Sequence, residues 1–430
     1  MKLQFNGAAR EVGRSCIELE TGSNTIFFDC GLKMAGGDRP TPASPPLEKI
    51  KRPDVVLLSH AHLDHCGAIP ELYKHSAPIT YCTTPTIALA QILYEDTLKI
   101  AKQEKLPSVF SKQDLTKAEK HFSALGYENE FSLGNGTKFS FHDAGHILGS
   151  AQILLSAEKK KILYTGDFKL KETQMHSGAK IIKENIDLLI IESTYANHSQ
   201  PDRNKSEKQF FDEVQTAVNK SYTVLLPCFA VGRTQEILSL LCEYGLKGDI
   251  YIKGMGTKVN ELYEAYPSYI RNTKSFKNAL HRVKAIETRE DKAEALSGGN
   301  VIISTAGMLE GGPALGLIQE LQKSQKATVF LTGFQVPGTN GWKLLNTGNI
   351  TVRDLKTKQR TDVEIKIKVK QFEFSAHAGK EELYEFVKKV NPAKIACVHG
   401  DEGSCESFAE GLKEKGFDAI APKLGEKIEV

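Results

Sequence analysis

The sequence has no long hydrophobic run, no closely spaced pair of cysteines and almost no net charge. No apolar stretch approaches the ~20 residues that a helix needs to cross a bilayer, so we expect no membrane partner. Residues 1–7 lack the apolar core of a signal peptide, and the expected location is the cytoplasm. The eight cysteines are scattered without a Cys-x-x-Cys pair, which argues against a disulfide framework and a cysteine-based zinc site.

The small net charge conceals an uneven distribution. Residues 197–370 contain 25 Lys and Arg against 18 Asp and Glu, a net charge of +7, which leaves −4 for the rest of a chain whose total is +3. A mildly basic middle section is compatible with a phosphate-bearing polymer lying across it. An ordinary solvated surface explains the same charge, and the distribution alone does not separate the two.

One short stretch concentrates metal-binding chemistry: three histidines and an aspartate fall within six residues, namely His60, His62, Asp64 and His65. The stretch follows a short apolar run, residues 53–58, that predicts a buried strand, and it precedes a predicted helix. Imidazole and carboxylate together suit zinc or a similar divalent ion. Four ligands so close together are hard to fit around one tetrahedral ion, so the pattern predicts two metals sharing one loop. The alternative, a histidine-rich surface loop, does not explain the spacing.

Further candidate ligands end other predicted strands, and they are Asp143, His146, Asp167, Glu192 and His399. Strands that end at one edge of a sheet would bring these groups together around the first loop. Asp167 is suited to bridge, because one carboxylate can hold two ions ~3.5–4 Å apart. Each residue alone is equally compatible with a buried, hydrogen-bonded side chain.

The order of predicted elements changes near residue 196. From there helices and strands alternate, as in a parallel sheet with helices on its faces. Ser206 and Gln209 form a capping-box pattern that predicts a helix beginning at Glu207. We therefore predict one metal-binding domain formed by residues 1–196 and 371–430, interrupted by a second α/β domain at residues 197–370.

The motifs together resemble the metallo-β-lactamase superfamily and its β-CASP ribonuclease family. The superfamily motifs are matched in order and kind by Asp29, His60, His62, Asp64, His65, His146 and Asp167. The three additional β-CASP motifs are matched by Glu192, His377 and His399. The segments PCFAVGR, STAGMLEGG and TGFQVPGT are similar to the family's inserted domain. The resemblance implies an α/β fold, a metallo-β-lactamase αββα sandwich with an inserted β-CASP domain of parallel sheet and flanking helices.

The resemblance also implies roles for single residues. One zinc ion would be bound by His60, His62, His146 and Asp167, and the other by Asp64, His65, Asp167 and His399. Asp29 would orient a ligand from behind, and the expected catalytic residues are Asp64, Glu192 and His377. His377, paired with Glu192, would protonate the leaving oxygen.

Four residues are predicted to contact RNA. Ser375 and Ala376, next to His377, would hold a phosphate. Arg233 and Lys343 of the inserted domain would line a groove for the RNA backbone, although such cations are also common on ordinary surfaces.

The function implied by the resemblance is a zinc-dependent ribonuclease that hydrolyses single-stranded RNA by a two-metal mechanism in RNA processing or decay. Endonuclease and 5′-to-3′ exonuclease modes stay open, as do manganese as the metal and a homodimer as the assembly. One alternative is a hydrolase of a small-molecule ester or thioester, which would need neither the inserted domain nor the Glu192, His377 and His399 set. Another is an inactive RNA-binding partner subunit, which would lack metal ligands that are all present here.

Overall fold

The chain forms two compact units in a computed structural model, which describes residues 1–34, 41–324, 326–353 and 359–430. The sandwich unit comprises Met1–Glu172, Ser177–Ser199 and His377–Val430. The inserted unit comprises Thr173–His176 and Gln200–Ala376. The sequence predicts slightly different domain limits, namely 1–196, 197–370 and 371–430. These limits remain a prediction.

Strands and helices are numbered in chain order. The strands are β1 (Lys2–Phe5), β2 (Ile17–Glu20), β3 (Thr25–Phe28), β4 (Val55–Leu57), β5 (Ile79–Cys82), β6 (Phe122–Ala124), β7 (Phe131–Gly134), β8 (Thr137–Asp143), β9 (Ala151–Ala157), β10 (Lys160–Tyr164), β11 (Leu188–Glu192), β12 (Thr223–Cys228), β13 (Ile250–Lys253), β14 (Val283–Ala285), β15 (Val301–Thr305), β16 (Ala327–Leu331), β17 (Asn349–Arg353), β18 (Arg360–Glu364), β19 (Lys368–Gln371), β20 (Lys394–Val398), β21 (Ala419–Ile420) and β22 (Lys427–Glu429). The helices are α1 (Leu63–Cys66), α2 (Ile69–Leu72), α3 (Thr84–Glu104), α4 (Lys112–Glu119), α5 (Arg203–Asn219), α6 (Arg233–Glu243), α7 (Gly256–Ala265), α8 (Thr273–Leu280), α9 (Arg289–Ala295), α10 (Gly312–Leu321), α11 (Asn340–Thr347), α12 (Lys380–Val390) and α13 (Glu402–Glu414), with a 3₁₀ turn at Pro267–Tyr269.

Two seven-stranded sheets form the sandwich unit. Their strand orders are β22-β1-β2-β3-β4-β5-β6 and β21-β20-β11-β10-β9-β8-β7. Apolar side chains of both sheets share one buried core, in which the rings of Phe28 and Tyr164 lie 5.5 Å apart. The core fixes the two sheets face to face, and strand ends of both sheets carry the candidate metal ligands.

Helix α12 covers the outer face of the second sheet. Its buried residues Leu383, Phe386, Val387 and Val390 recur at intervals of three and four, which places them on one helix face. The ring of Phe386 packs 4.6 Å from that of Phe168, which lies just beyond β10 and next to Asp167. The segment that carries Asp167 is therefore held against a helix.

The inserted unit contains a six-stranded sheet of order β14-β13-β15-β12-β16-β19 in which every pairing is parallel. The central strands are continuous apolar runs, as expected where helices cover both faces. The parallel sheet with flanking helices confirms the fold class predicted from the sequence. Within the described residues, none of the helices is both long enough and apolar enough to cross a bilayer.

The predicted start of helix α5 was wrong. The helix begins at Arg203 and not at Glu207, because the side chain of Asp202 accepts a hydrogen bond from Lys205 N and caps the helix one turn earlier. Ser206 lies inside the helix, where its backbone N donates to Asp202 O.

A buried ion pair joins α12 to the chain after β10. Lys169 Nζ donates to Glu382 Oε1 at 2.6 Å, both side chains being 7% exposed, and Glu382 Oε2 accepts from the backbone N of Leu170 and Lys171. Glu382→Ala leaves a lysine charge and two N–H groups without this acceptor in the interior. We expect the free energy of unfolding to fall by about 3–5 kcal/mol, measured by urea denaturation.

The same helix offers a matched control. Glu385 pairs with Lys389 on its exposed side, and Glu385→Ala should cost at most about 0.5 kcal/mol. Equal losses in the two variants would mean that burial of the Lys169–Glu382 pair has no energetic consequence.

Candidate metal centre

The loop between β4 and α1 presents its ligands on two sides of a tight turn. His60 and His62 lie before the turn, and His62 has an extended backbone. Helix α1 is a single turn that begins immediately afterwards and carries Asp64 and His65, with His65 N bonded to His62 O. This change from extended to helical backbone is why four neighbouring residues reach two positions.

The first ligand set is His60, His62, His146 and Asp167. His62 Nδ1 lies 3.2 Å from His60 Nε2 and 3.1 Å from His146 Nε2. Asp167 Oδ2 lies 3.5 Å from His60 Nε2 and 3.8 Å from His146 Nε2. Three imidazole nitrogens and one carboxylate oxygen therefore face a common point.

The second ligand set is Asp64, His65, Asp167 and His399. His399 Nε2 lies 3.3 Å from both His65 Nε2 and Asp64 Oδ2. Asp167 Oδ1 lies 3.3 Å from His65 Nε2. Asp167 thus contributes one oxygen to each set, and its role as a bridging carboxylate stays a prediction.

The two sets fit divalent ions on chemical grounds. Asp167 Oδ1 is buried without a hydrogen-bond partner, and imidazole nitrogens converge where mutual hydrogen bonds cannot satisfy them all. Ligand atoms about 2.0–2.1 Å from a tetrahedral zinc ion are about 3.3 Å from one another, which matches the separations in both sets. Burial lowers the pKa of His60 well below its usual value, assisted by repulsion from His65, and this favours the neutral form that binds metal.

Asp29 lies behind both sets and fixes the orientation of two ligands. Its Oδ2 accepts from His65 Nδ1 at 2.7 Å, so that His65 Nε2 points towards the second set. The hydroxyl groups of Ser59 and Tyr164 each donate to the same Oδ2 at 2.7 Å. Ser59 Oγ in turn lies 3.0 Å from His60 Nδ1, so Asp29 also orients the His60 ring of the first set through Ser59.

Ser59 and Tyr164 were not singled out by the sequence. Ser59 directly precedes His60, and Tyr164 ends β10 three residues before Asp167. Their proximity to predicted ligands was the available signal, but a tyrosine and a serine in such positions are common without any role at a site.

A carboxylate and an imidazole form a pair beside the ligand sets. His377 Nδ1 lies 3.0 Å from Glu192 Oε2, and Glu192 Oε1 accepts from Phe168 N at 2.8 Å. Glu192 is 1% exposed, whereas the His377 side chain is 22% exposed. Burial lowers the pKa of His377, but the charges of Glu192 and Asp167 outweigh it and raise the pKa to about 9. The two carboxylates therefore favour the protonated form of His377, whose ring is partly exposed.

The four residues predicted to contact RNA belong to the inserted unit. Ser375 and Ala376 end that unit immediately before His377. Arg233 is ion-paired with Glu236, and its side chain is only 9% exposed. Lys343 Nζ donates to Thr351 Oγ1 at 2.8 Å. These are contacts within the protein, and the predicted contacts of the four residues with RNA remain predictions.

Three family models match successive parts of the chain. Residues 17–194 match the metallo-β-lactamase superfamily domain, residues 234–344 the β-CASP domain, and residues 362–422 the Zn-dependent metallo-hydrolase RNA specificity domain. Over its whole length the chain is 38% identical to Probable RNase MJ4 of Methanocaldococcus jannaschii, with 100% of both chains covered. The chain belongs to the β-CASP family of metallo-β-lactamase hydrolases. This membership confirms the predicted family and the predicted enzyme class, a metal-dependent RNA hydrolase.

Other relatives extend across archaea and eukaryotes. The β-CASP chain is 34% identical to RNase aCSPSF2 of Saccharolobus solfataricus, covering 99% of this chain and 85% of that protein. It is 30% identical to Integrator complex subunit 11 of Danio rerio, covering 98% and 72% respectively. A crystal structure of a protein of unknown function from Enterococcus faecalis superimposes with a TM-score of 0.62 at 15% identity, covering 100% and 99% of the chains, and shows the shared fold.

Proposed function

We propose that this protein is a zinc-dependent ribonuclease that hydrolyses phosphodiester bonds of single-stranded RNA with two ions per chain, in RNA processing or decay. The proposal is carried by the position of Asp167, which belongs to both four-residue ligand sets and lies next to the Glu192–His377 pair. The RNA specificity domain at residues 362–422 and the ribonuclease names of relatives support RNA as the polymer.

Zinc is supported by the donor atoms. The first set offers three imidazole nitrogens and one carboxylate, and the second offers two of each; nitrogen-rich sets suit zinc, whereas manganese prefers oxygen. Ions held by these residues would activate water for attack and neutralise charge on the phosphate. Manganese, which accepts the same ligands less readily, is the second candidate.

His377 supplies the proton for the leaving group. Its Nδ1 is bonded to Glu192, so the proton would be donated to a substrate oxygen from Nε2. The charges of Glu192 and Asp167 raise the pKa of His377 and so favour the charged form of this donor. Positioned proton donors of this kind contribute typically 10²–10⁴-fold in rate.

The four remaining candidate residues would bind the RNA substrate. We place a phosphate at Ser375 and Ala376, next to His377, and RNA backbone contacts at Lys343 and Arg233. The proposed domain division is residues 1–196 with 371–430 for hydrolysis and residues 197–370 as the inserted domain. The family matches at 17–194 and 234–344 fall within these limits and support the boundary near residue 196.

The first test combines metal analysis with RNA cleavage. Purified protein should contain two zinc ions per chain and should cleave a 5′-labelled single-stranded RNA, with the same sequence as duplex RNA serving as the control substrate. Labelled mononucleotide from the first time point would indicate a 5′ exonuclease, and labelled fragments of intermediate length would indicate an endonuclease.

Failure would also be informative. A protein with two bound zinc ions that leaves RNA intact, with and without a 5′ monophosphate, would contradict the proposal. Hydrolysis of a thioester by that protein would then favour the small-molecule hydrolase.

A further inference from the structure

Two phenylalanines of the inserted unit are exposed to solvent. Phe229 is 47% and Phe334 is 53% exposed, and among the described residues they are the only exposed members of the 20 phenylalanines in the chain. Val336, two residues after Phe334, is 42% exposed as well. Single exposed apolar residues need no explanation, but an aromatic pair on one edge of a sheet marks a candidate binding site.

The two rings originate from neighbouring points. Phe229 directly follows β12 and Phe334 lies three residues beyond β16, and these strands pair in parallel. Neighbouring strands are about 4.8 Å apart, and the adjacency continues beyond them because Thr332 Oγ1 lies 3.4 Å from Cys228 Sγ. Both loops therefore leave the carboxyl edge of a parallel sheet, which is where open α/β sheets bind ligands.

A third loop holds both phenylalanine loops in place. Gln335, next to Phe334, is only 4% exposed, and its Nε2 donates to the carbonyl oxygens of Gly307 and Gly333. A Cβ atom at Gly307 would lie 3.1 Å from Phe229 N and 3.2 Å from Phe229 Cδ2, so this glycine permits the close approach of the loop after β15. These contacts connect the loops that follow β12, β15 and β16 beneath the two rings.

We propose that Phe229 and Phe334 form a stacking platform for unpaired nucleobases of the RNA substrate. The inference rests on the proposed ribonuclease function and deepens it, because stacking requires base faces that only single strands expose. Every base has a π face, so such a platform selects single strands without selecting sequence. The net charge of +7 in residues 197–370 complements the phosphates of the same strand.

A protein partner fits this surface less well. A stable protein interface buries about 800 Å² on each partner, whereas the other exposed large apolar residues of the inserted unit, within its described part, are Val336 and Tyr244. Tyr244 caps the far end of α6, the helix that begins four residues after Phe229.

The test compares normal RNA with RNA of the same length in which several internal nucleotides are abasic. Phe229→Leu, Phe334→Leu and the double variant keep an apolar side chain but remove the ring, and Tyr244→Leu is the matched control. We expect KM for normal RNA to rise about tenfold in each single variant, a typical loss for one stacked base, with kcat within twofold of wild type. KM for abasic RNA should be the same in all four proteins and the wild type, and Phe229→Trp and Phe334→Trp should retain the wild-type KM for normal RNA.

Binding without cleavage separates this inference from the proposed function. Fluorescence anisotropy of labelled RNA in excess EDTA should show the same tenfold losses in affinity even if the wild type cleaves nothing. Unchanged affinity and KM in the double variant would overturn the platform, as would equal losses on normal and abasic RNA. A change of oligomeric state with unchanged KM, measured by light scattering, would assign the rings to a protein interface and overturn it too.

Discussion

Asp167→Asn is expected to abolish ribonuclease activity, with a loss of at least about 10³-fold in kcat/KM, equivalent to roughly 4 kcal/mol of transition-state stabilisation. The reason is that Asp167 is the one side chain shared by the two ligand sets, with an oxygen about 3.3 Å from His65 and another 3.5 Å from His60. Asparagine preserves the shape but carries no negative charge and has only one acceptor oxygen. It cannot serve both sets, so the metal content should fall below two ions per chain.

Asp54→Asn is the matched control for this prediction. Asp54 directly precedes β4, at the opposite end of the strand from His60, and its carboxylate accepts only from Thr25 N among the hydrogen bonds of the described residues that are assigned to it. This variant should keep two ions and full activity. Metal content by mass spectrometry and RNA cleavage should be measured on the same preparations. An Asp167→Asn protein that retains two ions and wild-type turnover would show that the two sets do not share this residue.

The positions of the candidate ligands in the fold were predictable from the sequence to the extent that these residues lie on one loop or at strand ends. His60, His62, Asp64 and His65 are neighbours in the chain, and Asp167 and His399 follow runs that were predicted to be strands. The hydrogen bonds that orient them were not predictable. Tyr164 reaches Asp29 across 135 residues of sequence, a contact created by packing two sheets together.

Helix α5 shows a second limit of prediction from the sequence, which concerns where a helix begins. Asp202 and Ser206 are both good capping residues, and the sequence pattern alone favoured the serine with Gln209. The structure uses Asp202, whose carboxylate accepts from Lys205 N and thereby extends the helix by one turn. The competition between two possible caps is settled by packing: Arg203, gained by the earlier start, bonds to Glu207 one turn later on the helix and lies 4.7 Å from the Phe374 ring.

His377→Gln is expected to lower kcat for RNA by about 10²–10⁴-fold while leaving two ions per chain. His377 lies outside both four-residue ligand sets, so its loss should remove the proton donor without releasing metal. An activated diester such as bis(p-nitrophenyl) phosphate has a leaving group that needs no proton, and its hydrolysis should be nearly unchanged. His198→Gln is the control, because His198 is an exposed histidine whose ring lies 5.9 Å from Tyr195, as does that of His377. Equal losses on both substrates would contradict a proton-donor role.

Glu192→Gln tests the same donor through its pH dependence. The protonated form of His377 is the active form, so kcat falls as pH rises through its pKa, which Glu192 and Asp167 together raise against the effect of burial. Without the Glu192 charge, the effect of burial is opposed mainly by Asp167, and the pKa of His377 falls. The alkaline limb of the pH–kcat profile should therefore move to lower pH. Both proteins carry the same ions under the same metal buffer, and the displacement between their profiles therefore reports on the Glu192 carboxylate. A limb that stays in place, or moves to higher pH, would mean that the group titrating there is not His377 held by Glu192.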